Sequence, residues 1–176
     1  MPKLQLQQII EEVEKVPGWF YENQMRFLYP YALKAKNIFE IGTYAGKSTL
    51  FWALSNPDAN IVTTDTCIGV PANGITGLSI LPEVVSAGKI IALKENSHEL
   101  VKRYNQPIDL LFIDGGHKYA DVCQDITDWL PKVEGVIAVH DYMDAWPEIK
   151  QAVDNCLRGE VELISDADDL FVANKN

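Results

Sequence analysis

The chain of 176 residues is 47% hydrophobic and carries 15 basic against 25 acidic residues, a formal net charge of -10. Its size and apolar content suit one domain with a buried core, and no segment reaches the roughly 18 consecutive apolar residues of a membrane span. The acidic balance, with no lysine or arginine cluster, argues against nucleic acid as a partner, because such binding rests on neutralised phosphates. A small-molecule ligand is expected instead.

The opening residues, MPKLQLQQII, lack a cationic start followed by an apolar run, so no secretory signal is expected. Cys67, Cys123 and Cys156 show no metal-ligand spacing and read as free thiols of a cytoplasmic protein. Leu6, Ile9, Ile10 and Val13 fall on one helical face, and Pro17-Gly18 stops that helix. An aromatic-rich segment from Trp19 to Ala35 follows. Its aromatic residues suit core or dimer contact better than a substrate pocket. Residues 1–35 thus form an N-terminal helical segment of a single domain spanning 1–176, with the core in 36–176.

From Asn37 onward, apolar runs alternate with helical patterns. The runs are NIFEIG, NIVTTD, KIIALKEN, IDLLFID, GVIAVHD, VELIS and LFVAN; helices are predicted over Lys47–Ser55, Ser97–Tyr104, Ala120–Val133 and Pro147–Leu157. Several runs are continuously apolar, as expected of strands covered on both faces. The pattern predicts an α/β fold: a doubly wound, Rossmann-like, seven-stranded and mostly parallel sheet with helices on both faces. Only DADD separates the last two runs, too short for a crossover, so they form an antiparallel C-terminal edge hairpin.

Ligands of such sheets sit beyond the carboxyl ends of the strands. Those ends carry Glu40-Ile41-Gly42, Asp65, Asn96-Ser97, Asp114 and His140-Asp141. The first turn, IGTYAGKST, invites comparison with a phosphate-binding loop because Gly46-Lys47-Ser48 matches its end. Only three residues separate Gly42 from Gly46, however, one fewer than that loop requires. The dinucleotide pattern also fails, since Thr43-Tyr44 stands where its second glycine belongs. What remains is E-x-G-x-x-x-G, with Asp65 closing the next strand as a carboxylate able to accept two ribose hydroxyls. Glu40 either holds the loop or meets a cationic ligand group.

This arrangement resembles the class I S-adenosylmethionine-dependent methyltransferases over Asn37 to Asn174. Glu40-x-Gly42-x-Tyr44-x-Gly46-x-Ser48 is similar to the first motif of the metal-dependent catechol- and caffeoyl-type O-methyltransferases. The resemblance implies that Tyr44 and Ser48 contact the methionine part of the cofactor. It also implies that position 47 varies freely, which makes Lys47 dispensable. The run LLFIDGGHKYADVCQDITDWLPKVEGVIAVHDY resembles methyltransferase family 24, whose relatives include sugar and macrolide O-methyltransferases.

In the catechol type, the acid ending the fourth strand and the acid ending the fifth bind a divalent metal. By that resemblance Asp114 and Asp141 are the ligands, with Mg²⁺ an optional further cofactor. A base lies three residues after the first acid, here His117. A histidine, with an unperturbed pKa of ~6.5, can take a hydroxyl proton near neutrality. The third ligand of that type, an asparagine, is replaced by Tyr142.

The expected activity is methyl transfer to a hydroxyl oxygen of a small molecule or sugar. The expected catalytic set is Asp114, His117 and Asp141, and the expected cofactor set is Glu40, Gly42, Tyr44, Gly46, Ser48, Asp65, Ser97 and Asp114. Tyr142 leaves open a cofactor-binding protein of the same fold without transferase activity. The short N-terminal segment leaves room for a homodimer that completes the pocket. His140 reads equally as a hydrogen-bonder or a participant, and His117 as a base or a helix cap. His98 reads as a surface residue, Asp121, Asp125 and Asp128 as a solvated helix face, and Asp166, Asp168 and Asp169 as turn residues. The glycine-rich stretch Thr66–Gly77 reads as a lid-like loop.

Overall fold

The computed structural model describes residues 4–67 and 89–175. The lid-like reading of Thr66–Gly77 lies, from residue 68 on, outside the described residues. The elements are α1 (Leu6–Val13), α2 (Glu22–Ala32), β1 (Asn37–Ile41), α3 (Lys47–Ser55), β2 (Asn60–Thr64), β3 (Ile90–Leu93), α4 (Ser97–Leu100), β4 (Ile108–Ile113), α5 (Tyr119–Trp129), β5 (Val133–His140), α6 (Pro147–Cys156), β6 (Val161–Ser165) and β7 (Leu170–Lys175). The helix read over Ala120–Val133 ends earlier, because a 3-10 turn at Leu130–Lys132 hands the chain to β5. The helix read over Ser97–Tyr104 is a single turn, α4.

The seven strands form one sheet in the order β3-β2-β1-β4-β5-β7-β6. β1 pairs in parallel with both β2 and β4, so the strand order reverses beside it. β7 runs antiparallel between β5 and β6, which confirms the edge hairpin. Asp168 and Asp169 sit in its turn with φ of 58° and 61°, a left-handed conformation that aspartate tolerates better than most residues.

Alternate residues of the central strands feed two cores. Ile38, Phe112, Ala138 and Val172 pack against α1, α2 and α3 through Ile9, Leu28, Phe51 and Trp52. Phe39, Leu111, Ile137 and Phe171 face Val122, Trp129, Ile149 and Val153 of α5 and α6. Burial on both faces explains why these strands read as unbroken apolar runs.

The free-thiol reading fails for two of the three cysteines. Cys123 on α5 and Cys156 on α6 form a disulfide, with Cα atoms 5.8 Å apart, and Cys67 is free. The two helices lie side by side on one face of the sheet, a proximity that a separation of 33 residues conceals. The cysteines therefore give no argument for a reducing compartment. Among the described residues, no helix is long and apolar enough to cross a membrane.

Candidate active site

A crevice of about 910 Å³ opens beyond the carboxyl ends of β1, β2, β4 and β5, where the strand order reverses. Its first wall is the turn from β1 into α3. Gly42 has φ +98°, and a Cβ there would lie 1.9 Å from the Asp114 carbonyl oxygen, so only glycine lets the ends of β1 and β4 approach. Gly46, at φ 77°, is the left-handed N-cap from which α3 starts.

Asp65 shapes this turn. Its Oδ2 accepts the Thr43 and Tyr44 amides at 2.9 and 2.8 Å, and its Oδ1 accepts the Cys67 amide at 2.8 Å. Three of a carboxylate's roughly four acceptor positions are thus occupied, leaving one for a ligand hydroxyl rather than the two expected.

Glu40 does not line the crevice. It is fully buried beneath the turn, accepting hydrogen bonds from Thr49 Oγ1 and, at 3.0 Å, from Trp52 Nε1. Burial pushes its carboxyl above the ordinary range, and these hydroxyl and indole donors oppose the rise. Of the two roles read from sequence, Glu40 has that of holding the loop. Tyr44, Ser48, Asp65, Ser97 and Asp114 do line the crevice, together with Gly42.

Lys47 is not a free surface residue. Its side chain is buried, and its ammonium donates to Glu14 Oε2 at 3.1 Å and to the Gly18 carbonyl at 3.4 Å. It ties the segment after α1 to the glycine turn, which places Trp19 and Tyr21 on the rim. The aromatic-rich segment accordingly splits. Trp19 and Tyr21 stand exposed on the crevice rim, whereas Phe20 is buried beneath it and packs against Phe51, Trp52 and Phe112.

The start of α4 adds Ser97 and His98 to the crevice lining. Ser97 Oγ donates to Asp125 Oδ1 at 2.6 Å, and His98 Nδ1 lies 3.1 Å from Asp128 Oδ2 and 3.5 Å from Asp125 Oδ1. The solvated-face reading holds for Asp121, exposed at the crevice mouth, and is corrected for Asp125, which is buried because α4 packs on α5, while Asp128 is half-buried. Burial raises the Asp125 carboxyl to about 6, against the lowering effect of Ser97 and His98. His98 is likewise a half-buried partner of these acids rather than a surface residue.

The second wall gathers Asp114, His117, His140 and Asp141. His117 Nε2 lies 3.2 Å from Asp141 Oδ2, and its ring meets Trp146 edge-on at 4.4 Å. His117 does not cap α5. The Tyr119 amide donates instead to Glu148, and the N-cap residue is Lys118.

His140 is buried, with Nδ1 3.2 Å from Asp114 Oδ1 and 3.4 Å from Asp141 Oδ1. Neither approach has hydrogen-bond geometry, so Nδ1 has no hydrogen-bond partner among the described residues. Burial pushes its basicity down, but the charges of Asp114 and Asp141 prevail and lift it to about 10. Asp141 is pushed up by burial, yet His140 and, to a lesser degree, His117 hold it below the ordinary carboxylate range.

One ligand atom from each of Asp114, His140 and Asp141 lies within 4.8 Å of the others. Two carboxylates facing one ring nitrogen demand positive charge between them, and a proton or a divalent cation supplies it. The orphaned Nδ1 among carboxylate oxygens fits a divalent metal ion.

His140 and Asp141 are neighbours in sequence, and in a regular strand their side chains would point to opposite faces. Asp141 has φ 57°, which turns its carboxylate back beside the His140 ring. Such a backbone in a non-glycine residue is uncommon and concentrates at functional sites. The hairpin turn holds it: the Tyr142 amide donates to the Asp169 carbonyl at 3.1 Å.

Tyr142 itself points away. Its hydroxyl donates to Asp154 at 3.0 Å and accepts from Arg158 at 2.6 Å, so the third donor beside the two acids is His140. Sequence left His140 open and missed Gln24, whose contact with His140 spans 116 residues.

A doubly wound sheet with an inserted antiparallel strand, a glycine turn after β1 and acids ending β2, β4 and β5 defines a Rossmann-like protein of the methyltransferase class. The chain belongs to methyltransferase family 24: that family's model, described as a methyltransferase domain, matches residues 39–142.

Among solved structures it is similar to the SAH-bound methyltransferase PaMTH1 of Podospora anserina, with a TM-score of 0.67 and 17% identity over 97% of this chain and 87% of that one. It is also similar to the O-methyltransferase TomG of Streptomyces achromogenes, solved with SAM, with a TM-score of 0.65 and 18% identity over 97% and 89% of the two chains. A curated relative, the uncharacterized protein y4gI of Sinorhizobium fredii, is 26% identical over 136 residues. That match takes in 70% of this chain but only 15% of the relative's length.

Proposed function

We propose that this chain transfers the methyl group of S-adenosylmethionine to a hydroxyl oxygen of a small molecule or sugar. One observation carries the reading. The glycine turn with Tyr44, Ser48, Asp65 and Ser97 shares a single crevice with Asp114, His117 and Asp141, behind which His140 is buried. The first group suits a nucleoside sulfonium, as in the SAM- and SAH-bound structures that this fold resembles. The second suits the activation of a hydroxyl.

Methyl transfer from a sulfonium is an in-line displacement, so the acceptor oxygen must lose its proton as the carbon–sulfur bond breaks. His117 is exposed enough to meet an acceptor, and Asp141 beside it stabilises the imidazolium formed on proton uptake. A divalent cation held by Asp114, Asp141 and His140 supplies, when bound, a lowered hydroxyl pKa and a fixed acceptor orientation. The remaining contribution is positioning between the aromatic rims, Trp19 and Tyr44 on one side and Trp146 on the other.

The same lining favours a neutral or cationic acceptor. Among the described residues, Lys47 is the one lysine or arginine on the crevice wall, and Glu14 already pairs with it. Residues 68–88 contain no lysine or arginine. Asp65, Glu95, Asp114, Asp121 and Asp141 repel an anionic acceptor and favour the sulfonium.

Calorimetry with SAM and with SAH tests the cofactor reading, and binding of neither removes it. Assay of neutral glycosides and phenols against phosphorylated or CoA-linked acceptors tests the acceptor class. Faster turnover of the anionic set overturns that part.

A further inference from the structure

We infer that the Asp114–His140–Asp141 site selects a first-row transition cation over Mg²⁺, and that the His140 ring nitrogen is the ligand that discriminates. The inference rests on the metal assignment above but not on methyl transfer.

The tautomer of His140 is set from outside the site. Gln24 Oε1 accepts the Tyr21 amide at 3.0 Å, and Gln24 Nε2 donates to the Asp168 carbonyl at 3.0 Å. These two bonds orient the amide so that its oxygen faces His140 Nε2 at 3.1 Å. A carbonyl oxygen only accepts, so Nε2 must carry the proton. In the neutral ring the lone pair is therefore on Nδ1, the atom that faces both carboxylates. A ring N–H fixed by a carbonyl while the other nitrogen faces a cation site is the usual outer-shell support of a metal-bound histidine. The hairpin turn orients Gln24 from a distant part of the chain, and Gln24 in turn orients this ring.

The donor set then decides the cation. Mg²⁺ demands near-octahedral oxygen ligation and keeps much of its water, and a buried ring nitrogen serves it poorly. Imidazole suits the later first-row metals, whose affinity for mixed nitrogen and oxygen sites rises along the series toward copper. No oxygen donor from Tyr142 compensates, because Asp154 and Arg158 hold that hydroxyl elsewhere.

The test uses the full chain freed of metal with a chelator and titrated calorimetrically with Co²⁺ and with Mg²⁺. Wild type is expected to bind one Co²⁺ with at least ~tenfold preference, and His140→Asn to lower Co²⁺ affinity ~10- to 100-fold while moving Mg²⁺ less than ~threefold. Asp114→Asn is expected to weaken both cations. A Co²⁺ to Mg²⁺ ratio that His140→Asn leaves unchanged overturns the inference, as does Mg²⁺ binding as tightly as Co²⁺ in wild type.

Should His140→Asn fail to fold, proton NMR of the wild-type Co²⁺ protein decides. It should show one strongly shifted, slowly exchanging N–H proton, that of His140 Nε2, which persists in His117→Ala. Absence of that signal overturns the inference. SAH binding measured on the same sample separates the two readings. SAH binding without cation discrimination removes only this inference, and cation discrimination without SAH binding removes only the methyltransferase reading.

Discussion

The two walls of the crevice are built by opposite means. The β1–α3 turn is held mainly by one neighbouring strand: Gly42 bonds back to Thr64 on β2, and Asp65 at the end of that strand receives the Thr43 and Tyr44 amides. The β4–β5 wall gathers charge from distant places, with His140 between Gln24 of α2 and the acids ending β4 and β5. A wall held by its neighbouring strand should depend on glycine and on the Asp65 carboxylate while tolerating changes of its other side chains. A charge-held wall should fold through many substitutions and lose chemistry with each.

The largest expected effect follows at Gly42. Gly42→Ala sets a Cβ against the Asp114 carbonyl in a backbone that alanine disfavours, so a loss above ~3 kcal/mol is expected, seen as a collapse of the thermal midpoint and of soluble yield. A well-folded Gly42→Ala protein would break the contrast. Next is His117→Ala. Its methyl-transfer rate should fall ~10²- to 10⁴-fold while the thermal midpoint and SAH affinity hold, as measured by assay beside calorimetry.

Lys47→Ala has a smaller effect, because Lys47 belongs to the glycine turn by sequence and to the N-terminal segment by contact. It should lower stability by ~1–2 kcal/mol, since Glu14 is half exposed and can be rehydrated. SAH affinity should change less than ~threefold, because Glu14 and Gly18 already engage the ammonium. A large loss of affinity with unchanged stability would make Lys47 a ligand contact instead.

The smallest effect concerns Asp125. Burial raises its folded-state pKa to about 6, above the unfolded value, so the folded chain holds this proton more tightly. Stability contributed here is present at low pH and is lost as pH rises through that range. Asp125→Asn keeps an acceptor for Ser97 and removes the charge. A gain of ~2–4 °C in thermal midpoint is expected at pH 7.5 and none at pH 4. Equal shifts at both pH values would show that the carboxylate's burial is not the cause.

Strand order aside, most of the architecture was legible. Apolar runs alternating with helical patterns, and a four-residue link before LFVAN, suffice for a parallel sheet with an antiparallel edge hairpin. Burial on both faces and short connections are local properties of a chain. The same holds for the glycine turn and for the acids that end strands, since position along a strand determines which end of the sheet a residue reaches. Asp65 and Asp114 were readable in that way.

Tertiary structure decided the rest, because it depends on which elements meet. Helix packing turned Asp125 from a solvated acid into a buried partner of Ser97, and joined Cys123 to Cys156 across two adjacent helices. Glu40 went under the turn because Thr49 and Trp52 of the next helix receive it. His140 and Asp141 share one site only because the left-handed backbone at Asp141 cancels the alternation of a strand. Sequence alone determined that this protein carries a glycine turn and a row of acids at one end of a doubly wound sheet. Which of those groups face a ligand and which face each other followed from side-chain directions, set by packing between segments more than a hundred residues apart.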